Sequence, residues 1–272
     1  MKNLAEQYEI IDFHAHPFDD ETTNICSHTA FCGMSQENTV SYLKSLGIDR
    51  ICGSVICQNR TGLKLYETPW EMIAESNRRV LKLKEAYGDF YVPGFHVHAD
   101  YVRESCDEIE KMNRLGVKLI GELVPYAHGW KDYSCKGFDE ILDVAAQYGM
   151  IVSFHTIEHD QIAEMVRKHP NVVFVAAHPG EFPGYMEHLE HMKKYENYYL
   201  DLSGTGFFRH GMLRRGIDTC GVERFLFGTD YPTCNPSMFL GGVLLDPLYS
   251  EEEKRMVLAG NAKRLLKEAG IA

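Results

Sequence analysis

No apolar run in this chain approaches the roughly 20 residues that a membrane span needs, and Met1 to Gln7 hold no apolar signal core. The expectation is a cytoplasmic protein with no membrane partner. Paired cysteines are also missing: the eight, at positions 26, 32, 52, 57, 106, 135, 220 and 234, form no C-x-x-C and are scattered. In a cytosolic chain of this size they are expected to be reduced. Positive charge is scarce, with 28 Lys and Arg against 39 Asp and Glu for a formal net charge of -11. That field works against a polyanion, and the densest basic cluster, Arg209 to Arg215, is short enough to read as a solvated helix start, so no nucleic-acid partner is expected. No G-x-G-x-x-G follows the first strand, which weakens a dinucleotide-binding open sheet.

What remains is an ordinary globular composition, 44% hydrophobic and 25% charged over 272 residues. That length suits a single domain spanning 1–272, since an α/β barrel typically takes about 250 residues. Strand and helix patterns alternate. Strands are expected at 8–11, 50–56, 91–97, 117–121, 151–154, 172–177, 198–202 and 225–227, and helices at 38–46, 69–87, 103–115, 138–148, 161–168, 185–194 and 211–220. A last helix opens at Ser250 with an S-x-x-E capping box and carries Met256, Val257, Leu265 and Leu266 on its apolar side. Parallel strands need long crossovers, so eight such units predict a (β/α)8 TIM barrel. Residues 18–36 have no clear period and follow the first strand, as an active-site lid would.

Barrel enzymes place their chemistry at the carboxyl ends of the strands. The first strand runs into Asp12-Phe13-His14-Ala15-His16-Pro17. Alternation puts His14 and His16 on one side, roughly 6.6 Å apart along the strand, where two imidazoles can converge on zinc or a similar metal. Later strand ends carry Gly121-Glu122, Phe154-His155-Thr156, Ala177-His178-Pro179-Gly180 and Gly228-Thr229-Asp230-Tyr231-Pro232.

These motifs, with the tail Gly260 to Leu266, resemble the amidohydrolase superfamily of metal-dependent barrels, in its amidohydrolase-related branch of decarboxylases and hydrolases. The resemblance implies that His14, His16 and His155 bind a divalent metal, zinc first, manganese or iron otherwise. It implies that Asp230 binds the metal or takes a proton from its water, and that His178 is a ligand or proton shuttle. Many family members carry a lysine or no ligand on the fourth strand. Glu122 there is more similar to the TatD-like hydrolases, in which a glutamate can bridge two ions, so the count is one or two. A salt bridge to Arg or Lys is the competing role for Glu122, and Lys118 is the weaker candidate on that strand.

Arg209 could grip a substrate carboxylate in bidentate fashion, and His98, Tyr126 and His128 are further substrate candidates. His210, Trp130, Tyr231 and the lid residues His28 and Phe31 stand behind them. His159, His169, His188 and His191 fall on or at the ends of predicted helices and read as surface residues. The function expected is metal-dependent hydrolysis of a C–N or C–O bond in a small anionic molecule, with homo-oligomerisation open. The alternatives are a non-oxidative decarboxylase of the same superfamily, a TatD-like phosphoesterase and a catalytically silent metal-binding protein. Fold alone does not name the substrate.

Overall fold

A computed structural model describes residues 4–17, 35–59, 62 and 64–271. The predicted lid, with His28 and Phe31, lies largely outside those residues. Eight strands form one sheet in sequence order, β1 (Ile11–Asp12), β2 (Arg50–Ser54), β3 (Tyr91–Phe95), β4 (Leu119–Leu123), β5 (Ile151–His155), β6 (Val173–Ala177), β7 (Tyr198–Asp201) and β8 (Phe225–Leu226). Each pairs in parallel with the next. Between β8 and β1 the sheet closes through individual bonds. Phe13 N–H donates to Phe227 O at 2.8 Å, His16 N–H donates to Tyr231 O at 2.7 Å, and Ala15 bridges Tyr231. The fold is a (β/α)8 TIM barrel.

The connecting helices are α1 (Gln36–Ser45), α2 (Pro69–Tyr87), α3 (Val102–Arg114), α4 (Pro125–His128), α5 (Lys136–Gln147), α6 (His159–Lys168), α7 (Phe182–Lys194) and α8 (Met212–Cys220). Their starts follow local rules: Thr68 Oγ1 accepts from Glu71 N–H while Pro69 takes the first helical position of α2, where its missing N–H costs nothing. After β8 come α9 (Pro236–Leu244), α10 (Glu251–Arg255), a π-helical turn and α11 (Asn261–Glu268). The predicted capping box is present at α10, with Ser250 and Glu253 exchanging side-chain and backbone bonds. The short α4 and the Gly-containing α9 carry no clear helical period and are absent from the sequence expectation.

Two apolar layers result. The larger lies mainly between strands and helices. The smaller takes one residue or more from every strand, including Ile11, Cys52, Leu119, Val175 and Leu226, and joins Leu265 and Leu266 of α11. The final helix therefore packs on the strand layer. Among the described residues no helix is long and apolar enough to cross a membrane, and the six described cysteines are free thiols.

One expectation is corrected. His169, His188 and His191 are buried, although their helices face solvent overall. The reason is that α6 and α7 lie side by side: His159 rings meet His188 at 4.8 Å and His191 at 5.5 Å, and His188 Nδ1 reaches Tyr198 OH at 2.7 Å. His169 bonds Asp139 at 3.1 Å.

Candidate metal centre

β1 delivers His14 and His16 into a buried site at the carboxyl end of the strands. Each imidazole is held by its Nδ1. His14 Nδ1 donates to Asp201 Oδ2 at 2.8 Å, and His16 Nδ1 donates to the Ser54 carbonyl at 3.0 Å. A carbonyl or carboxylate only accepts, so both Nδ1 atoms carry hydrogen and both Nε2 atoms are left as lone-pair donors when the rings are neutral. Those two Nε2 atoms face each other at 3.3 Å.

Glu122 completes the cluster by a local exception to strand geometry. Alternation along β4 turns Leu119 and Gly121 to one face and Glu122 to the other. Between Ile120 and Leu123 the register with β5 shifts, and Gly121 takes φ +96°. A Cβ on Gly121 would lie 2.0 Å from the Ser153 oxygen, so only glycine allows this bend. Glu122 is thereby aimed inward. Its Oε2 lies 3.4 Å from His14 Nε2 and 3.3 Å from His16 Nε2, while Oε1 lies 2.8 Å from His155 Nδ1 and 3.5 Å from His178 Nε2. Among the described residues its ion-pair partners are all histidines. Lys118 instead points away, with Nζ on Asn113 Oδ1 and the Tyr148 carbonyl.

Asp230 and His178 enter from loops, both with left-handed backbones at φ 61° and 69°. Such conformations cost a non-glycine residue of order 1–3 kcal/mol and collect at functional sites. Asp230 N–H donates to His14 O at 2.8 Å, and Asp230 Oδ1 lies 3.5 Å from His16 Nε2 and 3.8 Å from His14 Nε2. Ser203 Oγ donates to Asp201 Oδ1 at 2.5 Å and so accepts from His178 Nδ1 at 3.0 Å, leaving His178 Nε2 toward Glu122. The His178 ring also fills the space where a Cβ on Gly204 would stand.

Asp12 and Asp201 support His14 from behind; Asp12 opens the quoted motif at 12–17 without an expected role, and Asp201 lies in no motif. Asp12 accepts from Thr229 Oγ1 at 2.5 Å, Thr229 N–H at 3.0 Å and His14 N–H at 3.1 Å, tying the first and last loops together. Burial pushes it up to about 7, against those bonds. A lone acid ending the apolar run Tyr198–Asp201 was the available signal for the other.

Imidazoles and carboxylates in the site set one another's charge. Burial opposes charge on His14, but the Asp201 and Glu122 carboxylates outweigh it and hold the imidazole well above its usual range. Burial raises Glu122, and the surrounding histidines, His14 foremost, outweigh it and hold the carboxyl well below. Two triads have donor atoms all within 4.8 Å of one another, His14, His16 and Asp230, and Glu122, His155 and His178; a third is His14, His178 and Asp201.

Of the other substrate candidates, His98 and His128 lie together. Tyr126 is exposed, with its hydroxyl 3.5 Å from His155 Nε2. His98 is buried and engaged on both nitrogens by backbone, donating to His128 O and accepting from Asp100 N–H, each at 3.1 Å. His128 is buried against His96 at 4.5 Å, and among the described residues neither of its ring nitrogens nor the Trp130 Nε1 has a hydrogen-bond partner. Tyr231 is buried against Tyr42 at 5.9 Å. Arg209 pairs with Glu181.

An eight-stranded barrel with imidazoles and carboxylates converging at the carboxyl strand ends is the architecture of a metal-dependent barrel. The chain belongs to the amidohydrolase family, whose model matches residues 11–267. Among solved structures it is similar to an uncharacterised TIM-barrel protein from Bordetella bronchiseptica (20% identity, 96% of this chain and 99% of that one, TM-score 0.73). It is also similar to 2,6-dihydroxybenzoate decarboxylase from Rhizobium (14%, 96% and 99%, 0.69). A third is 5-carboxyvanillate decarboxylase from Novosphingobium aromaticivorans complexed with manganese and 4-hydroxy-3-methoxy-5-nitrobenzoic acid (14%, 96% and 97%, 0.68). At these identities the likeness shows the fold. No curated protein matches the chain.

Proposed function

We propose that the protein is a hydrolase that uses two divalent ions, zinc, manganese or iron, to cleave a C–N or C–O bond in a small anionic molecule. One observation carries the reading. Both oxygens of buried Glu122 face imidazole nitrogens, Oε2 toward His14 and His16 and Oε1 toward His155 and His178. With the imidazoles neutral, nitrogen lone pairs and carboxylate oxygens this close in a dry site repel unless cations lie among them; protons on the imidazoles, His14 foremost, satisfy the carboxylates otherwise. The donor set fits: imidazole and carboxylate suit borderline divalent metals. His14, His16, Asp230 and Glu122 Oε2 would hold one ion, and His155, His178 and Glu122 Oε1 the other.

Ions bound there supply a water acidified to a pKa of about 7 and polarise the oxygen of the scissile group. The protein does the rest. Asp230 accepts the proton at its carboxylate, held in place by its left-handed backbone and its bond to His14 O. His178, oriented at its Nδ1 through Ser203 and Asp201, presents Nε2 beside Glu122 as a ligand, and the exposed Tyr126 hydroxyl stands at the mouth for substrate contact. Non-oxidative decarboxylation is the second reading, supported by the decarboxylases among the similar structures. A carboxylate shared between the two clusters, as Glu122 is, would favour hydrolysis.

Elemental analysis of purified protein should find roughly two equivalents of metal, lost when His14→Ala and His16→Ala are combined. A panel of lactones, amides and carboxylic acids, read for ring opening and for released carbon dioxide, separates the reactions. Equal metal in wild type and double variant would remove the centre. Carbon dioxide without hydrolysis would install the decarboxylase.

A further inference from the structure

Between the loops after β6 and β7 lies a cavity of about 220 Å³ whose wall includes Gly180, Phe182, Tyr185, Arg209, Met212 and Arg215. It adjoins the metal centre. Gly180 is two residues beyond His178, so their Cα atoms are at most about 7.6 Å apart. Gly180 N–H also donates to Thr205 O at 2.8 Å, two residues beyond the Ser203 that orients His178.

The cavity's chemistry is an exception within this acidic chain. No carboxylate lines it, while two guanidiniums do. Arg215 makes no side-chain hydrogen bond or ion pair among the described residues. Arg209 is taken by Glu181, and both side chains are substantially exposed, 43% and 61%. Phe182, Tyr185 and Met212 give the same space an apolar wall, and the Phe182 ring is left 60% exposed. Arg209 also lies over the exposed Phe208 ring at 5.4 Å.

We propose that this cavity binds the carboxylate of a small organic acid, with Arg209 and Arg215 as its cations and Glu181 as an internal placeholder that the ligand's carboxylate displaces. An exposed ion pair stabilises little, so opening the Arg209–Glu181 pair costs little. The incoming carboxylate meets both guanidiniums where Glu181 pairs with Arg209 alone, and its organic body covers the apolar wall. Planar guanidinium matches planar carboxylate in a bidentate fork. A net charge of -11 disfavours a ligand of higher negative charge. In identifying that acid as the substrate the inference rests on the hydrolase reading; as a binding site it does not.

The probe is 4-fluorobenzoate, followed by fluorine NMR on the metal-bearing protein, with 4-fluorobenzamide as the uncharged control and inorganic phosphate as competitor. The expected result is saturable benzoate binding and none of the amide. Binding should weaken at least about tenfold in Arg209→Ala and in Arg215→Ala, the scale of losing a charge-assisted bond, and strengthen about threefold in Glu181→Gln. It should survive His14→Ala with His16→Ala. Binding that ignores both arginine variants, that the amide matches, that phosphate displaces as well as benzoate does, or that disappears only in the histidine double variant overturns the proposal. Benzoate binding at this site in a protein that holds no metal would sink the hydrolase and leave the cavity standing. Metal and turnover without arginine-dependent benzoate binding would do the reverse.

Discussion

The Nδ1 hydrogen of His14 has one destination, Asp201 Oδ2, and that bond fixes which nitrogen faces the centre. Outer carboxylates of this kind typically account for 10–100-fold in metal affinity or activity. Asp201→Asn should therefore weaken metal retention about tenfold or more in a chelator competition while the circular dichroism spectrum stays native; unchanged retention would show that His14 needs no such partner. Asp230→Asn addresses the proton instead. It should keep metal and fold and lose at least about 10²-fold in kcat on whichever substrate the panel finds, as removal of a general base does. A variant turning over at wild-type speed would take Asp230 out of the chemistry. His16, His155, His178 and Asp230 are visible in the sequence because each ends an apolar run beside Pro or Thr, and His14 because it pairs with His16 two residues on. Asp201 and Asp12 are not, because an acid that holds a ligand acts on a residue 187 positions away or ties together loops 217 apart.

Elements show the same division between local and distant causes. Strand and helix alternation is a local pattern, so all eight strands are readable, with no end displaced by more than three residues. Glu122 is different. Period-2 alternation faces it outward, and only the shifted register with β5 and the glycine before it turn the side chain in, which is a property of two strands together. The buried histidines of α6 and α7 escape for a related reason: polar residues on a helix read as exposed until the neighbouring helix is known to cover them. The α10 start is fully local, Ser250 accepting from Glu253 N–H at 3.2 Å and Glu253 accepting from Ser250 N–H at 2.7 Å. Ser250→Ala should lower the unfolding free energy by about 1 kcal/mol, measured by urea denaturation, with kcat unchanged because α10 touches nothing in the metal cluster. A loss of activity at full stability would contradict the placement of that helix.

At the scale of the whole molecule, stability depends on keeping several interior histidines uncharged. Burial lowers His96 to about 4 and holds His128 and His188 well below their usual value, His188 further opposed by the neighbouring His159 and His191. Each has a folded pKa below its unfolded value of about 6.5, so below that pH the unfolded chain binds protons that the folded chain refuses. Stability is therefore intact above about pH 6.5 and falls as the pH drops toward the folded value, by about 1.4 kcal/mol per pH unit for each such group. Acidification also acts on the other ionisable groups of the chain, so the absolute curve mixes causes. A difference between two proteins does not. His188 lies behind the cluster, bonded to Tyr198 and to Thr156 next to His155, and His188→Gln removes its titration while keeping a side chain that can bond both. Urea unfolding between pH 7.5 and 5 should give a shallower decline for the variant below pH 6.5, by up to that single-proton slope, even if the variant starts less stable at pH 7.5. Parallel curves would mean that His188 takes up its proton in the folded protein as readily as in the unfolded one, and that its burial exerts no control over its charge.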